Sequence, residues 1–142
     1  MSNDNGLSEP QRILIVDDHP LFRDALHGAV RVAYPEVETV EAKSIGEALE
    51  VLGESGSFDL CLLDLNMPRL DGLETLRTLK RDPALRHIPV IVLTVSDQPS
   101  DIRTAYAEGA AGYVRKPDDF EAFAAVAREL QDYWTLVCRL PA

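Results

Sequence analysis

Four short apolar runs of this chain end on groups that can do chemistry. "RILIVDD" closes on Asp17 and Asp18, "LCLLD" on Asp64, "VIVLT" on Thr94 and "GYVRK" on Lys116. A single Asp after a strand is ordinarily a turn residue or a helix cap. Three carboxylates, a hydroxyl and an ammonium gathered at one rim are a different matter. Two carboxylates about 4 Å apart repel by roughly 4 kcal/mol at an effective dielectric near 20. They must share protons or bind a hard cation. An all-oxygen donor set with no His or Cys nearby suits Mg²⁺ better than zinc. Mg²⁺ takes one or two carboxylates, keeps waters and accepts a substrate phosphate. One carboxylate is then left as a nucleophile toward phosphorus, forming an acyl phosphate. Lys116 would neutralise the phosphoryl oxygens and Thr94 would hydrogen-bond one of them.

The elements that must position these groups follow from periodicity. "RILIVDD" is a strand, and "LFRDALHGAVRVAY" is a helix with Leu21, Phe22, Ala25, Leu26, Ala29 and Val32 or Ala33 on one face. "VETVEA" is a second strand. "SIGEALEVL" opens a helix with Ser44 and Glu47 in capping-box spacing. The remaining units are "LCLLD" with a helix over 72–81, "PVIVLT" with a helix over 100–108, and "GYVRK" with a long helix opening near Asp118 or Asp119. That last helix carries Phe120, Phe123, Val126, Ala127, Leu130 and Trp134 at helical spacing. Strands that are apolar throughout and alternate with helices predict a parallel sheet covered on both faces. In such sheets working groups gather at the carboxyl ends of the strands. A charged tip on an oily strand is therefore expected.

Composition narrows the classes. The chain has 142 residues, the size of one domain, and is 46% hydrophobic, enough for a core. No apolar run approaches 18 residues, so no membrane helix is expected, and the polar start, residues 1–11, reads as a flexible leader without a secretion signal. A cytoplasmic protein is the expectation. The formal charge of −10 argues against nucleic acid as a partner and suits a cation or a basic partner; a plain acidic surface explains it as well. Cys61 and Cys138 lack metal-ligand spacing, and Cys61 reads as a reduced core residue.

The segments "ILIVDDHP", "LLDLNMPRLDG", "IVLT" and "YVRKP", in this order and spacing, resemble the receiver domain of two-component response regulators over residues 12–130. The resemblance implies a flavodoxin-like (βα)5 fold, a doubly wound five-stranded sheet in the order 2-1-3-4-5. It implies a phosphoacceptor at Asp64 and a Mg²⁺ site at Asp17, Asp18, Asp64 and the backbone carbonyl of Asn66, with Mn²⁺ or Ca²⁺ as substitutes. It implies a switch hydroxyl at Thr94, a phosphate-binding amine at Lys116, a rotamer-switching aromatic at Tyr113 and a cis bond before Pro117. Small departures are Val95, where a smaller residue is common, and Ser96 and Asn66, at positions that tune dephosphorylation. The implied partner is a sensor histidine kinase, and the implied role is that of a phosphoacceptor signalling protein rather than an enzyme.

"VDDHPLFRDAL" resembles receivers that carry a helix-turn-helix, yet only "QDYWTLVCRLPA" follows, so a stand-alone receiver with a downstream protein as target is expected. In this tail, residues 131–142, Tyr133, Trp134, Leu136, Val137 and Leu140 either cap the core or form a dimerisation arm. Its sequence "YWTLVCRLP" is similar to the ending of stand-alone regulators that partner bacterial phytochrome kinases. Two alternatives stand beside this reading. One is an aspartate-nucleophile phosphatase of the haloacid dehalogenase type, which expects an acid two residues after its nucleophile, where Asn66 stands here. The other is an adaptor that keeps only the fold.

Overall fold

The computed structural model describes residues 10–55, 58–65, 72–83, 85–96, 98–116 and 123–136. Five strands alternate with five helices: β1 (Arg12–Val16), α1 (Pro20–Ala33), β2 (Glu38–Ala42), α2 (Ile45–Ser55), β3 (Leu60–Asp64), α3 (Gly72–Arg81), β4 (Val90–Thr94), α4 (Pro99–Ala107), β5 (Gly112–Arg115) and α5 (Phe123–Leu136). All strand pairs are parallel, in the order β2-β1-β3-β4-β5, as expected for the doubly wound fold. The strand order reverses between β1 and β3, so the ends of these two strands flank the crevice where such sheets bind ligands.

The sheet divides two cores because successive side chains point to opposite faces. Ile13, Ile15, Leu60, Leu62, Ile91 and Leu93 pack under α1 and α5. Leu14, Val16, Cys61, Leu63, Val90 and Val92 pack under α2, α3 and α4. Strands β3 and β4 are buried along their whole length, which explains their uninterrupted apolar runs. A polar side chain on such a strand has room only at the tip.

Local chemistry sets the helix boundaries. Pro20 and Pro99 occupy the first turns of α1 and α4, where the missing N–H is no loss. In α2 the Glu47 N–H donates to Ser44 Oγ at 3.1 Å, and Glu47 Oε1 accepts from the Lys43 N–H at 3.2 Å, so the reciprocal bond lands one residue before the cap. In α1 the buried stripe is Leu26, Ala29, Val30 and Ala33, with Phe22 and Ala25 partly buried against it. Leu21 and Val32, both read as possible core positions, are each 73% exposed. Both lie off the stripe formed by Leu26, Ala29, Val30 and Ala33, so Ala33 is the buried member of the Val32–Ala33 pair.

Helix α5 does not stop at Leu130 but runs on to Leu136. Tyr34 Oη donates to the Leu130 carbonyl at 3.2 Å and Gln131 Nε2 donates to the Ala33 carbonyl at 3.0 Å, so two bonds join the end of α1 to α5. The side chains of Phe120, Phe123, Tyr133, Trp134, Leu136, Val137 and Leu140 lie outside the described residues, so the tail's two readings are not separated here.

Gly109 turns the chain from α4 into β5 with φ of 108°. A Cβ there would sit 2.8 Å from Lys80 Cγ, and Lys80 is itself tied to the Arg86 and Ile88 carbonyls at 3.0 and 2.6 Å. Gly109→Ala should therefore destabilise the fold by about 1–3 kcal/mol, read as a lower urea midpoint at an unchanged slope.

Candidate functional site

The strand ends bring the expected residues together. Asp64 is the last residue of β3, and Asp17 and Asp18 follow β1 directly. Thr94 ends β4, one residue beyond Leu93, the partner of Asp64 across the ladder. The Lys116 N–H donates to the Thr94 carbonyl at 2.7 Å, which carries the end of β5 to the same rim. Asp17, Asp64, Thr94 and Lys116 are all buried, and Asp18 is half-buried. Lys116 Nζ stands 2.6 Å from Asp64 Oδ1 and 4.3 Å from the centre of the Phe22 ring. The amine thus lies within reach of a carboxylate and an aromatic face, both of which attract a cation.

One carboxylate oxygen from each of Asp17, Asp18 and Asp64 lies within 4.8 Å of the others. Asp17 Oδ2 and Asp18 Oδ1 are buried without a hydrogen-bond partner. Buried carboxylate oxygens in this condition are costly unless something charged meets them. The set fits a hard divalent cation: all donors are oxygens, and ligands on opposite sides of such an ion stand about 4–5 Å apart, twice the ligand distance for Mg²⁺ or Ca²⁺. The other oxygen of Asp17 is held, because the His19 N–H donates to Oδ1 at 2.8 Å.

Burial pushes the Asp17 carboxyl from 3.8 up to about 7. The His19 N–H opposes the shift, the charge of Asp64 adds to it, and Lys116 works against it. The folded protein therefore holds this proton more tightly than the unfolded chain does. The stability it confers is complete below pH 4 and is lost as pH rises through about 7.

Around Thr94 a second set of bonds appears. The Ser96 N–H donates to Thr94 Oγ1 at 3.2 Å. The Ser96 hydroxyl reaches Asp101 Oδ2 at 2.5 Å, and Tyr113 Oη donates to the Ser96 carbonyl at 2.5 Å. Tyr113 is half-buried against the α2–α4 core. Val95 is 59% exposed. Asn66 and Pro117, with the bond that precedes Pro117, lie outside the described residues.

Sequence reasoning missed three contributors. Phe22 reads as a core residue, yet its ring also carries Lys116. Arg23 has no assigned role in the sequence reading, yet its Nη1 donates to the Asp17 carbonyl at 2.8 Å. Ser96 was noted for position, not for its bonds to both Thr94 and Tyr113. Phe22–Lys116 and Ser96–Tyr113 are far apart in the chain, and no spacing rule joins them.

The metal-free protein should lose stability between pH 5 and pH 8 through Asp17, by a few kcal/mol at most. Asp17→Asn removes the buried charge, so it should raise Tm at pH 8 and raise it less at pH 5. Mg²⁺ should raise the Tm of the unsubstituted protein at pH 8, and the same substitution should abolish that rise. Thermal scans with and without Mg²⁺ at the two pH values check both outcomes.

Residues 13–128 match the response regulator receiver domain family. Over 114 residues the chain is 41% identical to the nitrate/nitrite response regulator protein NarL of Escherichia coli, covering 78% of this chain and 51% of that protein, so it spans about half the length of this relative. It is 27% identical over 139 residues to response regulator Rcp1 of Synechocystis, covering 94% of this chain and 95% of Rcp1. The Mn(2+)-bound form of Rcp1 superimposes with a TM-score of 0.78 at 27% identity, over 94% of this chain and 100% of that one. The phosphorylated cyanobacterial phytochrome response regulator RcpA superimposes with a TM-score of 0.82 at 28% identity, again over 94% and 100%. These matches decide between the receiver and phosphatase readings. The chain belongs to the response regulator receiver domain family, a family of two-component signalling proteins.

Proposed function

We propose that Asp64 accepts a phosphoryl group from the phosphohistidine of a sensor histidine kinase, and that the resulting charge changes the protein's contacts with a downstream protein. The observation that carries this reading is the pairing of Lys116 Nζ with Asp64 Oδ1 at 2.6 Å, beside two further carboxylates within 4.8 Å. An Asp64 oxygen attacks phosphorus, the new P–O bond forms an acyl phosphate, and the P–N bond to the donor imidazole breaks. The imidazole leaves with the electron pair and takes up a proton. Lys116 neutralises charge on the transferring oxygens, and the Thr94 hydroxyl is placed to donate to one of them. Mg²⁺, when bound by Asp17, Asp18, Asp64 and the Asn66 carbonyl, would supply charge neutralisation that a lone ammonium does not. The existence of a Mn(2+)-bound form of the similar Rcp1 supports a divalent ion as ligand. In this reading the protein acts as a phosphoacceptor signalling protein rather than an enzyme, in keeping with its family.

Phosphorylation adds roughly one to two negative charges at the rim. The Thr94 oxygen, which accepts from the Ser96 N–H, is then drawn toward the phosphoryl group. Ser96 also carries the bond from Tyr113, so the change passes to β5 and the start of α4. The likeness to a phytochrome response regulator supports a bacteriophytochrome kinase as the donor, and with it a cytoplasmic setting.

Incubation with acetyl phosphate and Mg²⁺ should add one phosphoryl mass, and EDTA should prevent it. Asp64→Asn should show no gain. A gain that persists in Asp64→Asn would overturn the acceptor, and no gain from any donor would favour the adaptor reading instead.

We further propose that residues 131–142 join two copies of the chain. The support is the run of α5 past Leu130 and the apolar character of the tail. The full chain should elute from gel filtration at the mass of a dimer, and a chain cut after Leu130 at that of a monomer. Equal monomeric masses would remove the arm.

A further inference from the structure

We propose that Arg23 is a positioning residue that sets the cation affinity of the site by fixing the peptide of Asp17. The inference rests on reading Asp17, Asp18 and Asp64 as the cation ligands. Arg23 lies in the first turns of α1 and reaches the site through the backbone of Asp17. Its Nη1 donates to the Asp17 carbonyl at 2.8 Å, while its Nε donates to Glu41 Oε1 on β2 at 2.7 Å. Glu41 is in turn held from its other side, where Oε2 stands 3.2 Å from His27 Nδ1, and Thr39 Oγ1 lies 3.0 Å from that nitrogen.

This chain of contacts ends on a segment that needs it. Beyond Val16 the ladder stops, and the peptide leading to Asp18 must turn out of the sheet. The Asp17 N–H still donates to the Ala42 carbonyl at 2.9 Å. The Asp17 carbonyl is past the last strand partner, and the bond it accepts comes from Arg23. That carbonyl belongs to the peptide joining Asp17 to Asp18, so its orientation fixes where both carboxylates start. The His19 N–H orients the Asp17 side chain only after that peptide is placed.

Geometry, not charge, is the means. The Arg23 side chain is 18% exposed and lies against the Glu41 carboxylate, so the pair is close to neutral as seen from the acids. A guanidinium offers two separated nitrogens in a rigid fork, one for each acceptor; an ammonium offers a single centre. Groups that orient metal ligands without touching the metal typically set affinity by 10–100-fold.

The test measures Mg²⁺ affinity by titration calorimetry on the full chain, beside thermal stability without metal and phosphorylation by acetyl phosphate across Mg²⁺ concentrations. Arg23→Met should weaken Mg²⁺ binding about tenfold. It should raise the Mg²⁺ concentration for half-maximal phosphorylation in step, with the rate at saturating Mg²⁺ little changed. Arg23→Lys should recover only part of the loss. Glu41→Gln, which leaves Arg23 in place but loosens its hold, should give a smaller loss in the same direction, and it serves if Arg23→Met does not fold. Unaltered Mg²⁺ affinity in Arg23→Met or Glu41→Gln would overturn the inference, as would full recovery by Arg23→Lys, since charge alone would then suffice. Failure of the unsubstituted protein to bind Mg²⁺ would instead overturn the cation site itself, and the two failures are distinguishable.

Discussion

Three carboxylates crowded with one ammonium at the edge of an apolar sheet form the constraint on which the rest depends. The strands that deliver them are buried on both faces, so ionisable groups fit only where the ladder ends. Asp64 gains a partner there in Lys116. Asp17 does not gain enough, and burial drives its carboxyl up to about 7 despite the His19 N–H and the nearby amine. The metal-free site thus stores unfavourable electrostatics, which a divalent ion relieves. A site in this condition binds a cation because the fold has already met the cost of desolvating its ligands.

The surrounding structure holds that arrangement with groups of modest individual strength. A net hydrogen bond contributes about 1 kcal/mol, so one bond cannot fix an acid against a repulsion several times larger. The chain uses several bonds that converge on the same peptide. Asp17 is restrained at its N–H, its carbonyl and its carboxylate by Ala42, Arg23 and His19. Lys116 is placed by its own N–H on Thr94 and by the Phe22 ring beneath its amine. Phe22 serves two ends at once, because the same ring packs against the core under α1.

The fold was legible in the sequence because its strongest signals are periodic. Apolar strands, helical stripes and the Ser44–Glu47 cap appear within one or two residues of their expected places. The convergence of Asp17, Asp18, Asp64 and Lys116 was legible too, since chain order and a parallel sheet put strand ends together whatever the side chains do. Expectation failed at Leu21, which lies off the buried stripe of α1, whereas of Val32 and Ala33 it is Ala33 that faces in. It also failed where function needs a contact between distant residues. Arg23 and Glu41 are 18 residues apart and lie on different elements, and either alone reads as surface charge. Asn66 and Pro117, named from family likeness, lie outside the described residues and remain proposals.

The two flanks of the site differ in how firmly they are built, and this bears on which one a new charge would move. On the α1 side, four residues of the helix are buried, two bonds tie its end to α5, and the Arg23–Glu41 pair ties its start to β2. On the α4 side, Ala105 alone is buried among the helix residues. The β4–α4 connection there is held by bonds through Ser96, among them those to Thr94, Asp101 and Tyr113. Each such bond contributes about 1 kcal/mol net, whereas bonds to a charged phosphoryl group contribute about 1.5–3 kcal/mol. A bond that the Thr94 hydroxyl donates to a phosphoryl group on Asp64 would therefore outweigh the bond that Thr94 Oγ1 accepts from the Ser96 N–H, while nothing comparable would act on the packed α1 flank. The imbalance directs any rearrangement toward α4 and Tyr113, while the acids on the other side stay where the cation needs them.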